Sequence, residues 1–247
     1  MNPYDSSAAQ LVPLAVERLP LHRWRPGARL LVVGSRDGAA PEPDLAHADG
    51  TSFRRQLGAG MVASAQERAG TIGLALAWST TLLYPQAVAI CLLERRGALV
   101  VGSSGHGDPA LLETLLAQAD AWQLVLGPRP GPLAGRILAA GRNVEVLALW
   151  SDPADPLPPL DLAAAHAVHL APLTQAQAEE QRLLAAYAAA RAALPAELPL
   201  YDEAHRHDDC ACGANLVWRA AGRSRLDALG PDALCRACGR KHAFTLG

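Results

Sequence analysis

Four of the five cysteines in this 247-residue chain stand in two close pairs, Cys210-Ala-Cys212-Gly213 and Cys235-Arg-Ala-Cys238-Gly239. Thiols spaced so closely on two turns can converge on a single ion, and that convergence fixes how the chain between them must fold back. The glycine after each pair lets the turn's backbone come near the metal. The opening, Met1 to Ser7, has neither the basic start nor the apolar run of a secretory signal. The expected address is therefore cytoplasmic, where thiols serve metals in preference to disulfides. The fifth, Cys91, lies in an apolar run and reads as a small core residue.

The expected cofactor is a structural Zn2+ on Cys210, Cys212, Cys235 and Cys238. A catalytic zinc more typically keeps three protein ligands and an open position. The commoner knuckle is Cys-x-x-Cys-Gly, and the first pair is one residue shorter. His205, His207 or His242 would stand in if that pair could not chelate with both sulfurs, and an iron–sulfur cluster is the alternative. The pattern resembles the zinc ribbons, over the tail alone, and those modules serve many functions.

A formal net charge of -2 gives the whole chain no attraction for phosphate or acidic lipid. Between and after the cysteine pairs the tail is locally different: Arg219, Arg223, Arg225, Arg236, Arg240 and Lys241 stand against Asp227 and Asp232. Trp218, Arg219, Arg223, Arg225, Arg240 and Lys241 are the candidate nucleic-acid contacts, because guanidinium groups neutralise phosphates and an exposed indole stacks on bases. The same residues also suit an ordinary solvated face with Trp218 as its small core, or a protein partner docked on the ribbon.

Over the whole chain half of the residues are hydrophobic and 19% are charged, a globular composition. Short apolar runs alternate with helix-forming segments. Strands are expected at Arg29–Gly34, Ala87–Leu93, Ala98–Gly102, Trp122–Gly127, Asn143–Trp150 and Ala167–Leu170. Helices are expected over 52–68, 71–83, 108–120, 132–140 and 174–194, with Asp108 and Thr174 as N-caps. Residues 1–27, broken by Pro13, Pro20 and Pro26, read as an irregular or partly helical lead-in. Such alternation implies βαβ units and a mostly parallel α/β sheet covered on both faces, with its binding edge at the strand C-termini. The apolar stretch from Ile72 to Leu93 is broken by Ser79, Thr80, Thr81, Tyr84, Pro85 and Gln86, so no membrane span is expected.

Three loops follow apparent strands: Gly34-Ser35-Arg36-Asp37-Gly38, Gly102-Ser103-Ser104-Gly105-His106-Gly107 and Gly127-Pro128-Arg129-Pro130-Gly131. Backbone N–H groups at such loops can hold phosphate, with Ser and Arg side chains as further donors. The nucleotide-binding candidates are Gly34, Ser35, Arg36, Gly102, Ser103, Ser104, Gly127, Arg129 and Gly131. The sequences Leu99-Val-Val-Gly-Ser-Ser, Leu124-Val-Leu-Gly-Pro-Arg-Pro-Gly131 and Val144-Glu-Val-Leu resemble the Rossmannoid nucleotide-binding superfamily that includes DNA-processing-protein-A-like and lysine-decarboxylase-like domains. Leu31-Val-Val-Gly-Ser-Arg is similar to the opening strand of that group. The resemblance implies a site for nucleotides, phosphorylated sugars or single-stranded DNA, with Gly102, Ser103, Gly127 and Gly131 facing phosphate. Pro128 and Pro132 stand where those families have paired glycines and commonly an acidic residue.

The expected organisation is a Rossmann-like domain over 1–172, a helical connector over 173–204 and a zinc-ribbon module over 205–247. The leading functional expectation is a nucleic-acid-associated zinc protein whose body binds a nucleotide or DNA strand. The alternatives are a nucleotide or phosphosugar enzyme with a structural ribbon, drawing on Asp37, His106, Asp108 or Glu145, and a non-catalytic protein-assembly factor.

Overall fold

A computed structural model describes residues 8–35, 53–78, 85–174, 178–202, 207–220 and 223–246. The body is a nine-stranded sheet built from β1 (Ala8–Ala15), β2 (Arg29–Ser35), β3 (Phe53–Gln56), β4 (Gly73–Leu76), β5 (Ala98–Ser103), β6 (Ala121–Leu126), β7 (Val144–Trp150), β8 (Ala167–Pro172) and β9 (Leu200–Tyr201). Its order is β3-β1-β2-β4-β5-β6-β7-β8-β9. From β2 to β9 every pairing is parallel, while β1 runs antiparallel between β2 and β3. The helices are α1 (Met61–Ala69), α2 (Pro85–Glu94), α3 (Pro109–Gln118), α4 (Ala134–Ala140) and α5 (Glu180–Ala193).

The parallel strands lie side by side in chain order. A right-handed crossover repeated in one direction lays each connecting helix on the same face. Val62, Ile90, Leu112, Ile137 and Ala186, one from each helix, accordingly share a single core with Leu31, Leu99, Leu124 and Val146 of the sheet. Among the described residues no α-helix packs on the opposite face. There Val16, Leu19, Leu21 and Trp24, from the segment joining β1 to β2, cover Val12, Leu30, Val32 and Val100. The strand order never reverses between β2 and β9, so this part of the sheet has no switch point of the kind at which doubly wound sheets open a ligand crevice.

The expected mostly parallel α/β sheet with flanking helices is the observed one, and several elements within it differ. Ala87–Leu93 is helical, as part of α2. Its buried residues are Ala87, Val88, Ile90 and Cys91, with Gln86 and Ala89 exposed, which is helical and not strand periodicity. Pro85 occupies the first position, where its missing N–H costs nothing. The sheet position expected of that run is filled by Gly73–Leu76, which lies inside the segment expected as helix. Gly73 is required there because a Cβ would sit 2.2 Å from the Ala98 carbonyl oxygen. The lead-in contains β1 despite Pro13, and residues 53–56 form β3 before α1 begins.

Asp108 is the N-cap of α3 as expected: its carboxylate accepts from the Ala110 N–H at 2.8 Å, with Pro109 next in line. The capping box at Thr174 extends into 175–177, outside the described residues. Helix α5 begins at Glu180, without a side-chain cap on Glu179. Ala186 and Ala190 of α5 are buried in the body's core, and β9 adds the last strand, so the segment after 172 completes the sheet as well as leading to the tail. Among the described residues no helix is long and apolar enough to cross a membrane.

Candidate metal centre

The tail folds into a three-stranded antiparallel sheet of β10 (Asp208–Asp209), β11 (Asn215–Ala220) and β12 (Arg223–Leu226). Cys210 and Cys212 occupy the turn between β10 and β11, where the Gly213 N–H donates to the Cys210 carbonyl and the Cys210 N–H to that of Ala214. Gly213 takes a left-handed φ of 86° there. Cys235 and Cys238 form the second turn beyond β12, closed by the Gly239 N–H on the Cys235 carbonyl, with Gly239 at φ 75°.

The four sulfurs lie within 4.8 Å of one another, with Cys210 Sγ 3.4 Å from Cys238 Sγ and Cys212 Sγ 3.8 Å from Cys235 Sγ. Thiolates about 2.3 Å from a tetrahedral zinc are about 3.8 Å apart, so the donor set has the size and composition of a four-thiolate zinc site. The one-residue spacer of the first pair does not prevent both of its sulfurs from pointing inward. His205 lies outside the described residues, and neither His207 nor His242 joins the cluster. Among the described residues no other group of three or more His, Cys, Asp or Glu converges in this way.

Burial raises the Cys235 thiol pKa, but N–H groups of Cys238 and Ala237 and the Cys212 thiol outweigh it and bring the group down to about 7. For Cys238 the Arg240 N–H acts downward, and the sulfurs of Cys210, Cys212 and Cys235 overcome it and push that thiol up to about 12. Without a cation Cys235 and Cys238 thus hold their protons unequally. A divalent ion held by the four cysteines would replace those protons. The module's buried core consists of Cys210, Leu216, Val217, Leu229, Ala233 and Cys235, so two of the four clustered cysteines are also core residues.

A buried polar network joins this module to the body. The Asp208 carboxylate accepts from Arg219 Nη1 at 2.5 Å, from Arg23 Nη2 at 2.7 Å and from the Tyr201 hydroxyl at 2.5 Å. Burial first, and Asp208 second, hold the Tyr201 pKa well above its ordinary value, so Tyr201 remains a donor. Burial would lower the Arg23 pKa, but Tyr201 and Asp208 more than compensate and raise it. In the sheet beneath, Glu145 is fully buried. Its two oxygens accept from the backbone N–H groups of His22 (2.8 Å), Arg23 (2.8 Å) and Trp24 (3.2 Å), and its Oε2 lies 2.8 Å from His169 Nε2. Glu145, named among catalytic candidates, holds the chain segment 22–24 in place. The signal for this network was a polar residue at an inward position of an otherwise apolar strand: Glu145 in Val144-Glu-Val-Leu and His169 in Ala167-Val-His-Leu.

Of the expected nucleic-acid contacts, Arg219 is corrected. It is buried and turned inward onto Asp208 and the His22 carbonyl. Trp218, its neighbour on the other side of β11, is 39% exposed, with the His207 ring stacked at 6.3 Å and the Arg225 guanidinium 5.5 Å from its centroid. Asp227 holds that guanidinium at 2.5 Å. Arg223, Arg240 and Lys241 are also exposed.

At the C-terminal edge of the sheet, Gly105 and Gly131 pack against each other. A Cβ on Gly131 would lie 2.2 Å from the Gly105 carbonyl carbon, and one on Gly105 would lie 2.7 Å from Ala134. The Gly131 and Leu133 N–H groups donate to the carbonyls of Ser104 and Gly105, and the Gly105 N–H donates to Ser103 Oγ. Gly102 lies against the Trp78 N–H and the Leu76 carbonyl. Gly127 has open space around it, and Arg129 is exposed nearby. Gly34 and Ser35 end β2, while Arg36 and Asp37 lie outside the described residues. His106 is exposed beside a cavity with room for about one water, lined by Ser103, Asp108 and Leu112.

No protein-family model matches the chain, and neither the curated proteins nor the solved structures contain a significant match.

Proposed function

We propose that the chain is a zinc protein in which Cys210, Cys212, Cys235 and Cys238 hold one structural ion, and in which the outer face of the module binds single-stranded nucleic acid. Zinc supplies no reaction here; it fixes the two turns that set the strands of the module. The observation that carries the binding reading is the exposed Trp218, flanked by His207 and the Arg225 guanidinium. An indole with an adjacent cation can stack a base and attract the neighbouring phosphate, without regard to base identity. Arg223 lies on the same strand as Arg225 and extends the cationic edge.

The test is metal analysis of the purified full chain, followed by titration of a fluorescent single-stranded oligonucleotide at two salt concentrations. About one zinc per chain is expected, with affinity falling as salt rises in proportion to the few phosphates neutralised. Trp218→Ala and the double change Arg223→Ala with Arg225→Ala should weaken binding and leave the zinc content unchanged. Zinc without oligonucleotide binding overturns the nucleic-acid reading and leaves the metal reading standing. A chain that neither contains nor takes up zinc overturns both.

A further inference from the structure

Glu145, His169 and Tyr201 are buried on the face of neighbouring strands β7, β8 and β9 that lies opposite the α-helices. Parallel strands covered on both faces normally carry continuous apolar runs, so a polar row at this depth needs partners from outside the sheet. Those partners come from the segment 22–24, whose backbone N–H groups meet Glu145, and from the tail, whose Asp208 meets Tyr201.

The tail also holds that segment from above. Arg219 Nη2 donates to the His22 carbonyl at 2.6 Å, the Thr245 N–H to the Arg23 carbonyl at 2.9 Å, and the Arg25 N–H to the Thr245 carbonyl at 2.7 Å. The Arg23 guanidinium reaches Asp208 and lies 4.4 Å from the centre of the Phe244 ring. Residues 22–25 are thus clamped between the body and the cysteine module.

We infer that metal loading at the four cysteines closes residues 22–25 over the polar row Glu145–His169–Tyr201, making the module a metal-dependent clasp on the body. This rests on the metal reading above. The module's buried core is six residues, two of them cysteines of the metal site, so it has little to hold its strands in register without the ion. Asp208 stands two residues before Cys210 on a strand of only two residues, paired with Val217 and Asn215. When the turns come apart, Asp208 and Arg219 leave together. Arg23 and Tyr201 then keep buried polar groups with their module partner gone, a state relieved only by admitting water. The segment 22–25 opens as a consequence, and the bonds to Glu145 alone do not keep it shut.

The experiment is hydrogen–deuterium exchange on the full chain, zinc-loaded and after chelation, with zinc content measured on the same samples. Exchange in residues 22–25 and in β9 should rise by about ten-fold or more on metal removal, while α3 and α4 on the opposite face keep their protection. Arg23→Met, which lies outside the module, should retain zinc and still lose protection at 22–25. Asp232→Asn, an exposed change within the module, should alter neither. A chain that releases zinc with no change at 22–25 overturns the clasp and leaves the metal site intact, as does an Arg23→Met chain with full protection. A chain that takes up no zinc overturns the metal reading, and the clasp falls with it.

Discussion

The Arg219 guanidinium meets the Asp208 carboxylate at 2.5 Å, with side-chain exposures of only 2% and 3%. Surface ion pairs contribute little, but removing one partner of a buried pair leaves a desolvated charge behind. Arg219→Ala should therefore cost about 3–5 kcal/mol in denaturant unfolding of the zinc-loaded chain. Arg225→Ala, which removes an exposed guanidinium of the same hairpin, should stay within about 0.5 kcal/mol. Equal costs for the two would show that the Arg219 contact does not anchor the module.

Glu145 has four partners within hydrogen-bond distance. Glu145→Ala would leave the His22, Arg23 and Trp24 N–H groups and the His169 ring without their acceptor, at a cost of about 3 kcal/mol or more. Glu145→Gln keeps one acceptor oxygen and should lose less, about 1–3 kcal/mol. Thermal unfolding of both variants measures the order; a Gln variant worse than Ala would contradict it.

The glycine loops make a contrast that separates packing from ligand contact. Gly131→Ala must push two loops apart and should destabilise by about 1–3 kcal/mol or more. Gly127→Ala meets open space and carries no positive φ, so it should be neutral or slightly stabilising. Chemical denaturation distinguishes the two, and similar behaviour of both would deny the close approach at Gly105.

Burial pushes the Cys91 thiol up from 9.0 to about 12, with Glu94 acting in the same direction. A group whose folded pKa is raised contributes stability that is complete below its unfolded pKa and is lost as pH climbs toward the folded value. The Cys91 contribution is therefore intact below about 9 and declines between 9 and 12. Cys91→Ala should flatten the alkaline fall in stability over that window. In the native, chelated chain, thiol alkylation at neutral pH should reach exposed Cys212 and spare Cys91.

Local chemistry in the sequence determined several features. The paired cysteines with their glycines were sufficient to indicate the four-cysteine cluster, because the spacing fixes the turn and brings the thiols together. Asp108 followed by Pro109 marked the start of α3, and the runs at 98–103, 121–126, 144–150 and 167–172 showed as strands of an α/β sheet. Periodicity misled where a segment was apolar on every side. Ala87–Leu93 has β-branched and aliphatic residues throughout, and only its burial in the structure separates a helix from a strand. Pro13 argued against a strand at 8–15, yet β1 pairs on both sides.

What the tertiary structure alone decided is which face each polar residue looks toward. A sequence shows that Arg219 and Trp218 are neighbours on a strand, so that one points in and the other out, but not which is which. Docking of the module chose: Arg219 met Asp208 and the His22 carbonyl, and Trp218 was left outside. The same holds for Glu145, whose partners lie 121 to 123 residues away in sequence and 24 residues away at His169. Spacing and composition encode local geometry, whereas a buried charge is satisfied by groups that only the folded chain brings within hydrogen-bond reach.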